Sequence, residues 1–128
     1  MKGTVLLIED NEQNRYLARF LLERAGHVVI DANDGQCGLQ KALDLRPDII
    51  LLDIQLPTMD GYAVASALRE LPQMQDTPIL AVTSYAMAGD CEKALASGCT
   101  GYLEKPIDPD RFVQQVEALM DRASGASA

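Results

Sequence analysis

Asp48-Ile49-Ile50-Leu51-Leu52-Asp53 decides the reading of this chain. Four branched apolar residues in a row, closed by a carboxylate, do not alternate as a half-exposed strand would. Continuous hydrophobicity over so short a run marks a strand covered on both faces, as in a parallel sheet. The pattern recurs on either side. Val5-Leu6-Leu7-Ile8 stops at Glu9-Asp10, Ile79-Leu80-Ala81-Val82 stops at Thr83, and Gly101-Tyr102-Leu103-Glu104 stops at Lys105-Pro106. In a parallel sheet all carboxyl ends lie on one edge, so three acids, a hydroxyl and an ammonium converge on one crevice.

Strands are expected over Thr4–Glu9, His27–Asp31, Asp48–Asp53, Pro78–Thr83 and Thr100–Glu104. Segments with helical spacing lie between them. Leu17, Phe20, Leu21 and Ala25 line one face of the first, which stops at Gly26 in a left-handed cap. Leu39, Ala42 and Leu43 mark the second, after the turn Asn33-Asp34-Gly35. Val64, Ala65, Leu68 and Leu71 mark the third, with Asp60 as its cap. The fourth, roughly Gly89 to Ser97, is alanine-rich and weakly periodic, and Gly98 stops it. Phe112, Val116, Leu119 and Met120 mark the fifth, with Asp108 as N-cap and Pro109 at the first helical position. Strands and helices alternating with right-handed crossovers give an α/β fold: a doubly wound, five-stranded parallel sheet, flavodoxin-like (βα)5, in strand order 2-1-3-4-5.

At 128 residues this is one domain with room for a real core, and an apolar fraction of 48% is ordinary for a globular protein. The domain is expected over residues 1–122, with 123–128 a flexible C-terminal tail or the start of a linker. A formal net charge of -8 disfavours nucleic acid and anionic membrane as partners, since both need a basic footprint. The apolar runs are far shorter than a membrane span, and Met1-Lys2-Gly3 leads straight into a strand-like run with no signal-peptide cleavage site. Cys37, Cys91 and Cys99 are odd in number and form no C-x-x-C pair, so they are expected to be free core thiols in a reducing cytoplasm. His27, the only histidine, is expected to be structural and far from the crevice.

The crevice has a chemistry of its own. Glu9, Asp10 and Asp53 follow strands that flank the point where the strand order reverses. Carboxylates packed so closely repel one another, and a hard divalent cation relieves the repulsion. An all-oxygen donor set makes Mg2+ the default, and the backbone carbonyl of Gln55 offers a further oxygen. Thiols and imidazoles are missing from these positions, which argues against zinc. Asp53 is the expected nucleophile, because a carboxylate can accept a phosphoryl group as an acyl phosphate. Positioning and charge stabilisation do most of the work in that reaction. Lys105 would hold one phosphoryl oxygen and Thr83 another, and Pro106, whose peptide bond is a candidate for the cis form, keeps Lys105 extended.

These residues carry a resemblance. Glu9-Asp10-Asn11, Asp53-Ile54-Gln55-Leu56-Pro57-Thr58-Met59-Asp60-Gly61, Thr83-Ser84 and Lys105-Pro106 resemble the signature blocks of response-regulator receiver domains, over essentially residues 4–121. Ala81-Val82-Thr83-Ser84-Tyr85-Ala86-Met87 is similar to the same stretch of DivK-like single-domain regulators of cell division and polarity. The resemblance implies that Asp53 takes phosphate from a phosphohistidine on a sensor histidine kinase or histidine phosphotransferase. It implies Mg2+ on Glu9 and Asp10, with Asp10 preferred as direct ligand, and Thr83 and Lys105 on the phosphoryl group. Tyr102 falls where the family keeps a switch aromatic that swings inward as Thr83 moves. A downstream regulatory protein would bind the face formed by the fourth helix, fifth strand and fifth helix. A cytoplasmic monomer is expected, acting as a switch and not as a conventional enzyme. Gln55 and Tyr85 lie where the family controls water access to the acyl phosphate, and a bulky Tyr85 predicts a phosphorylated state lasting minutes or longer.

Rival readings fit less well. A haloacid-dehalogenase-type phosphatase needs a second Asp two residues after the nucleophile, where this chain has Gln55. A flavodoxin-type FMN carrier needs hydroxyl and glycine residues after the first strand, where this chain has Glu9-Asp10-Asn11-Glu12. An adaptor that binds partners without phosphorylation is the alternative from another functional class.

Overall fold

Each apolar run becomes a strand within one residue of its expected bounds. The computed structural model describes residues 3–56, 59–83, 89–105 and 107–125, apart from the side chains of residues 90 and 122–125. Among these residues the strands are β1 (Thr4–Ile8), β2 (Val28–Ala32), β3 (Ile49–Asp53), β4 (Ile79–Thr83) and β5 (Gly101–Glu104). The helices are α1 (Glu12–Arg24), α2 (Gly35–Leu45), α3 (Gly61–Glu70), α4 (Asp90–Ala96) and α5 (Phe112–Gly125), with a 3-10 turn at Pro72–Met74. All neighbouring strands pair in parallel, in the order β2-β1-β3-β4-β5. This is the doubly wound arrangement expected from the sequence.

Strand alternation sorts the core into two layers. Leu6 and Ile8 of β1, Ile50 and Leu52 of β3, and Ile79 and Ala81 of β4 pack beneath α2, α3 and α4, with Ala42, Val64, Leu68 and Ala94. Val5 and Leu7, Ile49 and Leu51, and Leu80 and Val82 pack beneath α1 and α5, with Ala18, Leu22, Phe112 and Val116. Full burial on both faces explains why β3 and β4 read as unbroken apolar runs. Each large side chain so buried contributes about 1.5–3 kcal/mol relative to exposure.

The helix ends follow local chemistry. Asn11, Asp34 and Asp60 each accept a backbone N–H in the first turn of α1, α2 and α3. Gly26 and Gly98 take positive φ after α1 and α4, as stop signals do. Asp108 accepts from Asp110 N through its side chain at 3.0 Å and from Phe112 N through its carbonyl at 2.8 Å. That turn occupies the residues expected to open the last helix, so α5 begins at Phe112 and not at Pro109. It continues to Gly125, while residues 126–128 lie outside the described ones.

Three further expectations change. α1 meets the sheet through buried Ala18 and Leu22, with Leu21 of the expected face packed beside them and Phe20 of that face exposed. Phe20 turns outward and stacks on Tyr16 with ring centroids 6.3 Å apart. Leu43 of α2 is likewise exposed, and glycines take the inner positions. Of the free cysteines only Cys99 is buried; Cys91 is exposed and Cys37 is half-buried. Burial pushes the Cys99 thiol up to about 11, so it stays protonated and inert.

His27 is structural, as expected. Its Nδ1 accepts from Gly3 N at 3.1 Å, which leaves the proton on Nε2, 2.8 Å from Glu117 of α5. The start of α3 is equally constrained. Gly61 N donates to the Ile54 carbonyl at 3.2 Å, and a Cβ on Gly61 would lie 2.4 Å from Ile54 Cα. The neighbour is backbone and cannot rotate away. Gly61→Ala should lower stability by about 2 kcal/mol through overpacking; a urea midpoint equal to wild type would contradict the tight approach.

Candidate functional site

The strand ladders place the crevice. Glu9 N donates to Ala32 O at 3.0 Å, extending the β1–β2 ladder one residue beyond β1. Lys105 N donates to Thr83 O at 2.7 Å and does the same for β4–β5. Ile54 N donates to Val82 O at 3.0 Å, holding the chain just past Asp53. Glu9, Asp53 and Lys105 continue the alternation of Leu7, Leu51 and Leu103, so they project toward the α1–α5 layer. Thr83 continues Ile79 and Ala81, on the opposite side of the sheet.

Glu9, Asp53 and Thr83 are buried and Asp10 is exposed. Carboxylate oxygens of Glu9, Asp10 and Asp53 all lie within 4.8 Å of one another. Lys105 Nζ stands 2.7 Å from Glu9 Oε1 and 3.4 Å from Asp53 Oδ2. Glu9 Oε2 also accepts from Asn11 N at 3.2 Å, and Arg15 donates to the Glu9 carbonyl at 3.0 Å. Asp53 Oδ1 accepts from Gln55 N at 2.9 Å, closing a tight turn. The Gln55 carboxamide donates to Thr83 Oγ1. Tyr102 is half-buried against the α2–α3–α4 layer. The structure thus brings Glu9, Asp10, Asp53 and Lys105 together, with Thr83 joined to them through Gln55. Tyr85 and Pro106 fall outside the described residues, and with them the expected shielding loop and the cis peptide.

Two contacts escaped the sequence reading. Lys105 lies nearer to Glu9 than to Asp53, and Gln55 reaches Thr83 through its side chain. A Gln two residues past the strand-end Asp was visible. Its reach depends on the loop conformation, which spacing does not encode.

Below the acids a cavity of about 60 Å³ opens toward Leu17, Ala18, Leu51, Val82 and Phe112. This apolar floor supplies little solvation. Burial, then a hydrogen bond with Asp53, raises Glu9 from 4.5 to about 7, and Lys105 only partly offsets the rise. Two buried carboxylates therefore share one ammonium. An all-oxygen cluster with two buried members and an exposed third fits a hard divalent cation with waters on its open side.

A family model for the response regulator receiver domain matches residues 5–117. The polar-differentiation response regulator DivK of Brucella anthropi is 38% identical over 123 residues, spanning 96% of this chain and 100% of that protein. Chemotaxis protein CheY4 of Vibrio cholerae superposes with a TM-score of 0.88 at 31% identity, covering 93% of this chain and 99% of that one. A CheY-like receiver domain protein from Methanospirillum hungatei is similar in fold alone, with a TM-score of 0.91 at 23% identity over 98% of this chain and 99% of that one.

The raised Glu9 carboxyl has a pH signature. A folded-state pKa above the unfolded value means the folded protein binds the extra proton. Its stabilisation is complete below about 4.5 and is lost as pH rises through about 7. Without divalent cation, the unfolding free energy should fall between those limits, and Glu9→Gln should flatten that fall. Equal pH slopes for the two proteins in chemical denaturation would show that Glu9 titrates normally.

Proposed function

Because the chain belongs to the response regulator receiver domain family, we propose that it is a phosphorylation-switched signalling receiver whose phosphoacceptor is Asp53. The observation that carries this reading is the convergence of Glu9, Asp10 and Asp53 within 4.8 Å, with Lys105 Nζ 3.4 Å from Asp53. The donor is a phosphohistidine on a sensor histidine kinase or histidine phosphotransferase. An Asp53 oxygen forms the bond to phosphorus while the phosphorus–nitrogen bond breaks, and the imidazole leaves with the electron pair. A carboxylate nucleophile needs no general base in this attack.

Glu9, Asp10, Asp53 and the Gln55 carbonyl would hold Mg2+, which when bound supplies positive charge for the phosphoryl oxygens. Lys105 already bridges Glu9 and Asp53, so an arriving phosphoryl group draws on an ammonium that is in place. Burial strengthens that contact relative to water. Thr83 takes a further phosphoryl oxygen, and Tyr102 follows its movement. The changed face is α4-β5-α5, where a downstream regulatory protein binds. A net charge of -8 speaks for a protein partner and against nucleic acid. On this reading the chain is cytoplasmic and monomeric; no helix among the described residues is long and apolar enough to cross a membrane.

Incubation with acetyl phosphate and Mg2+ should add the mass of one phosphoryl group. The gain should vanish in Asp53→Asn and fall at least tenfold in Lys105→Ala, since a buried charge contact is removed. Intact-mass spectrometry reads both, and an unmodified wild type would leave the phosphorylation-independent adaptor as the better account. Thr83→Ala should accept the phosphoryl group yet lose most of the phosphorylation-dependent change in partner affinity. Unchanged coupling in that variant, measured by calorimetry, would remove Thr83 from the switch.

A further inference from the structure

We infer that the Gln55 side chain is a latch that holds Thr83 in its resting position and is released when Asp53 is phosphorylated. The inference deepens the phosphoacceptor reading and rests on it. Gln55 is the residue that joins the two. Its backbone N–H is bonded to Asp53 Oδ1 at 2.9 Å, and its carboxamide is bonded to Thr83 Oγ1. The arm between these contacts is short, because Ile54 N is tied to Val82 O immediately before it.

Thr83 is 1% exposed, so water does not compete for its hydroxyl. The Gln55 amide donates to the Thr83 oxygen, which a hydroxyl offers as an acceptor. What this bond fixes is where the oxygen lies. Thr83 belongs by alternation to the α2–α3–α4 side, and Asp53 to the α1–α5 side. To meet a phosphoryl oxygen, the hydroxyl must turn about a stiff β-branched bond and leave the carboxamide.

Phosphorylation loosens the arm at its other end. The Asp53 carboxylate is a charged acceptor for Gln55 N–H. As an acyl phosphate its two oxygens become a neutral carbonyl and the bridging oxygen of a mixed anhydride. Charge-assisted hydrogen bonds are roughly twice as strong as neutral ones, so the turn that aims Gln55 weakens as the phosphoryl oxygens begin to compete for Thr83. Gln55 is thus a positioning residue: it reports the charge state of Asp53 to Thr83.

The test is methyl NMR of Thr83 in wild type and in Gln55→Met, which keeps the side-chain length and removes the amide. Gln55→Asn keeps the amide but is one methylene too short. Wild type is recorded alone and with acetyl phosphate and Mg2+, defining the line between the resting and phosphorylated positions. Without donor, both variants should move along that line, with the ratio of displaced to resting Thr83 raised about fivefold, the factor one ordinary hydrogen bond supplies net. A thermal melt of each variant separates this shift from unfolding. If wild type moves on gaining phosphoryl mass while folded variants stay at the resting position or move off the line, the latch is overturned and the phosphoacceptor reading stands. If wild type gains no phosphoryl mass, both fail together.

Discussion

Two carboxylates lie buried at neighbouring strand ends with a single ammonium between them. The rest of the crevice answers to that constraint. Like charges at close range in an apolar setting cannot all persist, so a proton, a lysine or a metal must enter. Lys105 supplies part of the compensation, the raised Glu9 carboxyl shows that the balance is incomplete, and exposed Asp10 opens the cluster toward solvent. A site left slightly short of positive charge is suited to take up a cation reversibly.

The architecture was legible because its signals were redundant. β3 and β4 are apolar throughout, and each stops on a polar residue, so element type and strand direction could be read together. Glu9, Asp10, Asp53, Thr83 and Lys105 followed from that reading, since parallel strands bring their ends to one edge. The misjudged features depended on packing distance. On α1 the larger apolar residues predict the inner face, yet Ala18 and Leu22 are the buried ones and Phe20 faces outward. Cys91 resembled a core thiol by composition alone. The preference of Lys105 for Glu9 over Asp53 is a difference of less than 1 Å, set by how a flexible side chain crosses the crevice. The Gln55 contact belongs to the same class.

Gln55 also separates this site from the hydrolytic use of a similar strand-end aspartate. A phosphatase of the kind considered above needs a carboxylic acid two residues on to protonate a leaving group. Here a carboxamide occupies the position and is turned toward Thr83. It has no acid proton to give and is engaged elsewhere. The flavin reading fails on charge: Glu9 and Asp10 crowd the loop where a bare phosphate would have to settle, with Lys105 already committed to two acids.

The central sheet also acts as a partition. Asp53 hangs on one side with the charges, and Thr83 on the other with the apolar packing of α3 and α4. On the proposed reading, interior substitutions beneath α4 can therefore reshape that part of the partner face while lying across the sheet from the acids. A duplicated gene of this design can diverge in its listeners while inheriting its chemistry intact.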